Sequence, residues 1–125
     1  MIEYFEKRII EDVIVERVNL CKMTLIESKV FWERLQDDIV QGHRKIIADL
    51  SNCKNVDSTL IGVLMQAQNL LSKSQGNLKL VLPNKETVKI IELLGVSEII
   101  NVYKLLDDAV TSFNSRSNFK KIAVA

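Results

Sequence analysis

The sequence has no long apolar run and almost no net charge. Its longest apolar stretches, such as residues 60–65, fall well short of the ~20 residues that a membrane-spanning helix needs, so we expect no membrane insertion. Its 17 Lys and Arg balance 16 Asp and Glu, and the Lys120-Lys121 pair is too short to be a nucleic-acid footprint, so we expect no nucleic-acid partner. The N-terminus lacks the regions of a secretory signal, which predicts a cytoplasmic protein.

The motifs of common catalytic sites are also missing. The chain contains no HExxH, CxxC, GxSxG, GxGxxG or P-loop pattern, and four glycines are too few for a phosphate cradle. Cys21 and Cys53 are interpreted as reduced thiols, and the single histidine, His43, as a solvated loop residue. The pairs Asp37-Asp38 and Asp107-Asp108 are assigned to solvated helix faces, because adjacent helical residues point about 100° apart. These absences predict a protein that is not an enzyme and needs no metal or cofactor.

What is present is an aliphatic core in a chain of one-domain length. The 125 residues are 47% hydrophobic but only 6% aromatic. Thr24 and Glu27 have the spacing of a capping box at the start of a helix, whose apolar stripe is expected to be Ile26, Val30, Leu35 and Ile39. The pattern predicts strands at 3–10, 13–20, 45–50, 78–82 and near Val102, and helices at 24–42, 60–74, 84–95 and 105–113.

Strand–helix alternation after an opening hairpin predicts the fold class. We expect an α/β domain over residues 1–113, with a mixed sheet of four to five strands and about four helices packed mainly on one face. Residues 114–125 read as a flexible polar tail.

One local pattern has both a structural and a functional interpretation. Asp57, Ser58 and Thr59 lie where a loop after a buried strand enters a helix. Asp57 or Ser58 can cap that helix by accepting a hydrogen bond from an unpaired N–H group, and spacing alone supports nothing more than such a cap.

The wider sequence resembles the STAS domain family, which includes bacterial anti-sigma factor antagonists. The resemblance rests on Asp49-Leu50-Ser51, on Asp57-Ser58-Thr59-Leu60-Ile61-Gly62, on the strand after Gly76, and on Leu93-Leu94-Gly95-Val96. It covers residues 3–113 in element order and 45–110 in detail. It implies the same α/β fold, and a regulatory rather than catalytic role.

The resemblance further implies a partner switch. Ser58 matches the residue phosphorylated by an anti-sigma factor serine kinase, Thr59 the fallback acceptor, and Asp57 the supporting acidic residue. The unphosphorylated form would bind the kinase, and a PP2C-type phosphatase would restore it. We expect Asp57, Ser58, Thr59, Gln66 and Asn69 to form the docking face. A weak homodimer is left open.

Two departures from the family pattern support an alternative. The family often has an acidic residue in the segment that here reads Asn19 to Met23, and a glycine where this chain has Leu60, which we expect to narrow the approach to Ser58. The alternative is a constitutive STAS scaffold subunit in a stress-sensing or transporter-associated complex.

Overall fold

A five-stranded mixed sheet forms the centre of the molecule. The computed structural model describes residues 3–114. The strands follow one another across the sheet in chain order, and only the first pair is antiparallel. They are β1 (Phe5–Ile10), β2 (Val13–Val18), β3 (Lys45–Asp49), β4 (Asn77–Val81) and β5 (Asn101–Tyr103). The predicted sheet is therefore confirmed.

The opening hairpin is shorter than its sequence pattern predicted. Its ladder begins at the pair Phe5 and Val18, whereas strands were expected at 3–10 and 13–20. Beyond that pair one backbone hydrogen bond remains, from the Asn19 N–H to the Tyr4 carbonyl at 2.8 Å, and the side chain of Asn19 donates to the Glu3 carbonyl at 3.0 Å. The turn at Glu11-Asp12 is confirmed, and Glu11 has the positive φ of 57° that such a tight connection requires.

Four α-helices and one 3-10 turn connect and cover the strands within residues 3–114. They are α1 (Leu25–Val40), α2 (Ser58–Ser72), α3 (Lys85–Leu93), the 3-10 turn (Val96–Glu98) and α4 (Leu106–Asn114). The capping box at α1 is confirmed, since the Thr24 N–H donates to Glu27 at 3.0 Å and the reciprocal bond is present. Asn84 caps α3, and Gly42 follows α1 with a φ of 102°.

Three helices pack on one face of the sheet and the fourth on the other. Side chains of α1, α2 and α3 join the inward residues of the strands in one core, while Ala109 of α4 lies in a smaller core with Val13, Val15, Ile47 and Val81. This confirms helices mainly on one face. No helix within residues 3–114 is long and apolar enough to span a membrane.

Only the second half of the apolar stripe expected for α1, Leu35 and Ile39, is buried. Ile26 and Val30 are exposed, and the buried positions are Ser28, Phe31, Leu35, Asp38 and Ile39. The assignment of Asp38 to a solvated face is therefore wrong. Its carboxylate is fully buried and lies 2.6 Å from Lys7 of β1, an ion pair that offsets the cost of burying the charge.

The remaining differences are local. The helix predicted at 84–95 ends earlier, at Leu93, and Leu94 is its exposed C-terminal cap. His43 lies in a loop as expected, but it is half-buried. The predicted tail, apart from Asn114 at the end of α4, lies outside the described residues.

Candidate functional site

The candidate site is the loop between β3 and α2, which neighbouring segments hold in place. Within the loop, the Asp49 carboxylate accepts from the backbone N–H of Ser51 at 3.0 Å. From outside it, the Cys21 carbonyl accepts from the N–H of Lys54 at 2.8 Å, and Thr87 of α3 donates to the Lys54 carbonyl at 3.4 Å. The loop that leads to Ser58 is thus fixed from two sides rather than free.

Asp57 caps α2. The spacing had allowed either Asp57 or Ser58 as the cap. The Asp57 carboxylate accepts from the Leu60 N–H at 2.9 Å. Ser58 is consequently the first residue of the helix rather than its cap, and the side chains of Ser58 and Thr59 are both exposed. A group attached to the Ser58 hydroxyl would lie at the positive end of the helix dipole.

The exposed face of α2 is uncharged. None of the 15 residues of this helix is charged, although Lys, Arg, Asp and Glu make up 26% of the chain. Ser58, Gly62, Gln66 and Asn69 are all exposed, and their spacing places them on one side of the helix over roughly 16 Å. The structure thus brings the expected residues Ser58, Gln66 and Asn69 onto one continuous polar face, which we call the α2 face.

Two concavities flank the α2 face. A groove of about 520 Å³ follows its side, where exposed Ile99 faces Met65 and Gln66. A second concavity of about 400 Å³ lies at the start of the helix, where Asp57 shares the lining with Lys22 and Lys54. Sequence reasoning missed Ile99 and Lys22, because they reach the site from segments distant in the chain. It also did not single out Lys54, which lies in the site loop itself, three residues before Asp57.

The two departures from the family pattern do not obstruct Ser58. The Leu60 side chain is 1% exposed and packs in the main core, so the expectation that it narrows the approach to Ser58 is wrong. The segment from Asn19 to Met23 has no acidic side chain. Its backbone contacts the site loop, through the Cys21 carbonyl and the β-bridge between Lys22 and Asn55.

One cysteine lies within the site loop and the other against it, since Cys53 belongs to the loop and the Cys21 carbonyl accepts from Lys54. Both cysteines are free thiols, exposed at Cys21 and buried at Cys53. Burial, with smaller contributions from Cys21 and Asp57, raises the pKa of the Cys53 thiol to about 11, so it remains protonated and unreactive at neutral pH. No group of three or more His, Cys, Asp or Glu side chains in this part of the chain could hold a metal ion.

The sheet order and the position of the site define a class of protein: a small α/β domain with its candidate site at the start of one helix. The model of the STAS domain matches residues 4–109. The chain belongs to the STAS domain family.

Comparison with individual proteins agrees with this assignment. A protein of Thermotoga maritima, named as a candidate anti-sigma factor antagonist, is 27% identical over 110 residues, which cover 85% of this chain and 94% of that protein. The crystal structure of a Thermotoga maritima protein of the same description superposes with a TM-score of 0.80 at 25% identity, covering 86% of this chain and 92% of that one. SpoIIAA in its unphosphorylated form gives a TM-score of 0.75 at 16% identity, covering 88% and 96%, and shares the fold.

Proposed function

We propose that this protein is an anti-sigma factor antagonist of a partner-switching pathway in the cytoplasm. In its unphosphorylated form it binds an anti-sigma factor serine kinase through the α2 face. The kinase transfers the γ-phosphoryl group of ATP to the Ser58 hydroxyl, which releases ADP and a proton and ends the association. A PP2C-type phosphatase hydrolyses the phosphoserine and restores binding.

The single observation that carries this proposal is the position of Ser58. Its side chain is exposed on the first turn of α2, directly after the Asp57 cap, and the loop that precedes it is anchored by hydrogen bonds. A kinase can reach such a hydroxyl without unfolding the domain. The phosphate would gain ~0.3–1 kcal/mol from the helix dipole, so modification should leave the fold intact.

The lack of charged side chains on α2 explains how one phosphate would switch binding. Phosphorylation adds about −1.5 to −2 charges and three acceptor oxygens to a helix with no charged side chain of its own. A partner that fits the uncharged face would bury this new charge or lie against it at a cost of several kcal/mol. Since ~1.4 kcal/mol is a tenfold change in affinity, this cost is sufficient to end the association.

The comparisons support this proposal by analogy. The relatives from Thermotoga are described as anti-sigma factor antagonists, and SpoIIAA has been solved in phosphorylated as well as unphosphorylated form. A STAS fold that exists in both states agrees with a domain that tolerates a phosphate at the start of α2.

Phosphosite mapping in the native host tests the proposal. Mass spectrometry of the purified full chain should find one phosphate on the peptide that contains Ser58. In Ser58→Ala that phosphate should disappear or move to Thr59, while Ser74→Ala, a change at an exposed serine beyond the other end of α2, should leave it in place.

Two outcomes would contradict the proposal. One is full phosphorylation of Ser58→Ala at a site other than Thr59. The other is a large homo-assembly by light scattering with no phosphate under any growth condition, which is what the constitutive scaffold predicts.

A further inference from the structure

A cluster of four charged side chains lies between α1 and the β1–β2 hairpin, on the face of the sheet that α1 covers. Glu16 of β2 and Asp38 of α1 are both fully buried. Lys7 of β1 and Arg34 of α1 close the cluster, with about a third of each side chain exposed. The third element beside Glu16 is β3, which places uncharged Ala48 at the paired position.

The two cations do not satisfy all the carboxylate oxygens. Both contacts from Arg34 reach the same atom, Glu16 Oε1, at 2.9 Å. Lys7 Nζ lies 2.6 Å from Asp38 Oδ1 but 3.7 Å from Glu16 Oε2, which is too long for a hydrogen bond. Glu16 Oε2 and Asp38 Oδ2 therefore have no hydrogen-bond donor among the described residues.

A proton would repair this deficit. Two ionised carboxylates can only accept hydrogen bonds, whereas a protonated carboxyl group also donates one. Unsatisfied buried acceptors are costly, and like charges that share a buried site favour the uptake of one proton. We infer that Glu16 and Asp38 form a buried proton-binding site, in which the two carboxyl groups share one proton at neutral pH.

The balance of forces on Glu16 agrees with this inference. The pKa of Glu16 is raised to about 8 from an ordinary 4.5. Burial makes the largest contribution to this rise, followed by the hydrogen bond with Asp38 and then by its negative charge. Arg34 acts in the opposite direction and does not cancel them. The site is independent of the switch at Ser58, and its tests do not involve the kinase.

The shared proton makes folding depend on pH, with a definite sign. Between pH 4.5 and about 8 the folded chain keeps the proton, while the unfolded chain has released it. The unfolding equilibrium constant should therefore rise with pH through this window, by up to about tenfold per pH unit for one proton, and level off above it.

Carbon-13 NMR of the Glu16 side-chain carboxyl group tests the site directly in the wild-type chain. We expect its titration midpoint near pH 8. Asp38→Asn should move this midpoint down towards 4.5, because it removes the neighbouring negative charge, while Asp37→Asn, at the exposed adjacent position, should not move it. A wild-type midpoint near 4.5, or a midpoint unchanged by Asp38→Asn, would overturn the inference.

Urea unfolding at pH 5.5 and 8 gives a second, independent readout. Glu16→Gln has no carboxyl group to ionise at this position, so the difference between wild type and variant cancels the titration of residues outside the cluster. The unfolding constant of the wild type should rise more steeply with pH than that of Glu16→Gln, and equal slopes would overturn the inference. If Glu16→Gln does not fold, the NMR titration of the wild type still decides.

Discussion

At the scale of single residues, Asp57 has a structural role in addition to its position next to Ser58. Its carboxylate satisfies the Leu60 N–H, one of the donors that a helix start leaves unpaired. The same side chain lies beside the proposed phosphorylation site, so a change at Asp57 can alter stability and signalling together.

Asp57→Ala should lower the free energy of unfolding by about 1 kcal/mol, because it removes the cap of α2. Asp57→Asn is the matched control, since an asparagine oxygen caps equally well and the variant should remain close to wild type. Urea denaturation monitored by circular dichroism measures both values. Equal stability of Asp57→Ala and wild type would show that the cap does not support the helix.

Residues whose role depends on local spacing could be predicted, and residues whose role depends on distant partners could not. The capping box at Thr24 and a side-chain cap at the start of α2 follow from a few adjacent residues. Glu16 follows an apolar run in β2 and precedes Arg17, so the sequence gives no sign of its burial. Lys7 and Arg34, brought close by the fold, offset part of the cost of that burial.

At the scale of elements, the close approach of α2 and β4 depends on Gly76 and Gln68. A Cβ atom on Gly76 would lie 2.8 Å from the Arg44 carbonyl oxygen and 2.9 Å from a methyl carbon of Leu71. Gln68, largely buried on α2, accepts from the Leu78 N–H at 2.8 Å and donates to the Asn77 side chain at 3.2 Å. These contacts fix α2, and with it the α2 face, against the sheet.

Gly76→Ala should cost roughly 1–3 kcal/mol of stability, because the added methyl group would have to displace backbone atoms of the neighbouring segment. Gly62→Ala is the matched control within the same part of the fold. A Cβ at Gly62 meets nothing within 4 Å, so this change in a helix interior should instead stabilise the protein by ~0.5–1 kcal/mol. Thermal unfolding of the two variants should shift in opposite directions, and a shift in the same direction would contradict this packing.

The elements themselves could be predicted from the sequence, but the orientation of α1 could not. Of the four apolar residues expected to form the buried stripe, Leu35 and Ile39 are buried but Ile26 and Val30 are exposed. The true stripe includes Ser28 and Asp38, which an argument from hydropathy assigns to solvent. The ion pair of Asp38 with Lys7 is a contact between distant elements, so no pattern within the helix could reveal it.

At the scale of the whole molecule, the alternation of strands and helices predicted the mixed sheet, and the family resemblance agrees with it. The position of α4 on the opposite face was harder to predict, because a short amphipathic helix fits either side of a sheet. The result is a domain that presents the uncharged α2 face with a hydroxyl at one end. A single negative charge at that end should act on a partner rather than on the fold.

Isothermal titration of an anti-sigma factor serine kinase of the host with three forms of the full chain tests this claim most directly. Ser58→Asp should fold with wild-type stability or slightly higher, yet bind the kinase at least about tenfold more weakly, a loss of ~1.4 kcal/mol or more. Ser74→Asp places the same charge beyond the other end of α2 and should bind like wild type. Wild-type affinity for Ser58→Asp, or equal weakening by the two aspartates, would contradict the account.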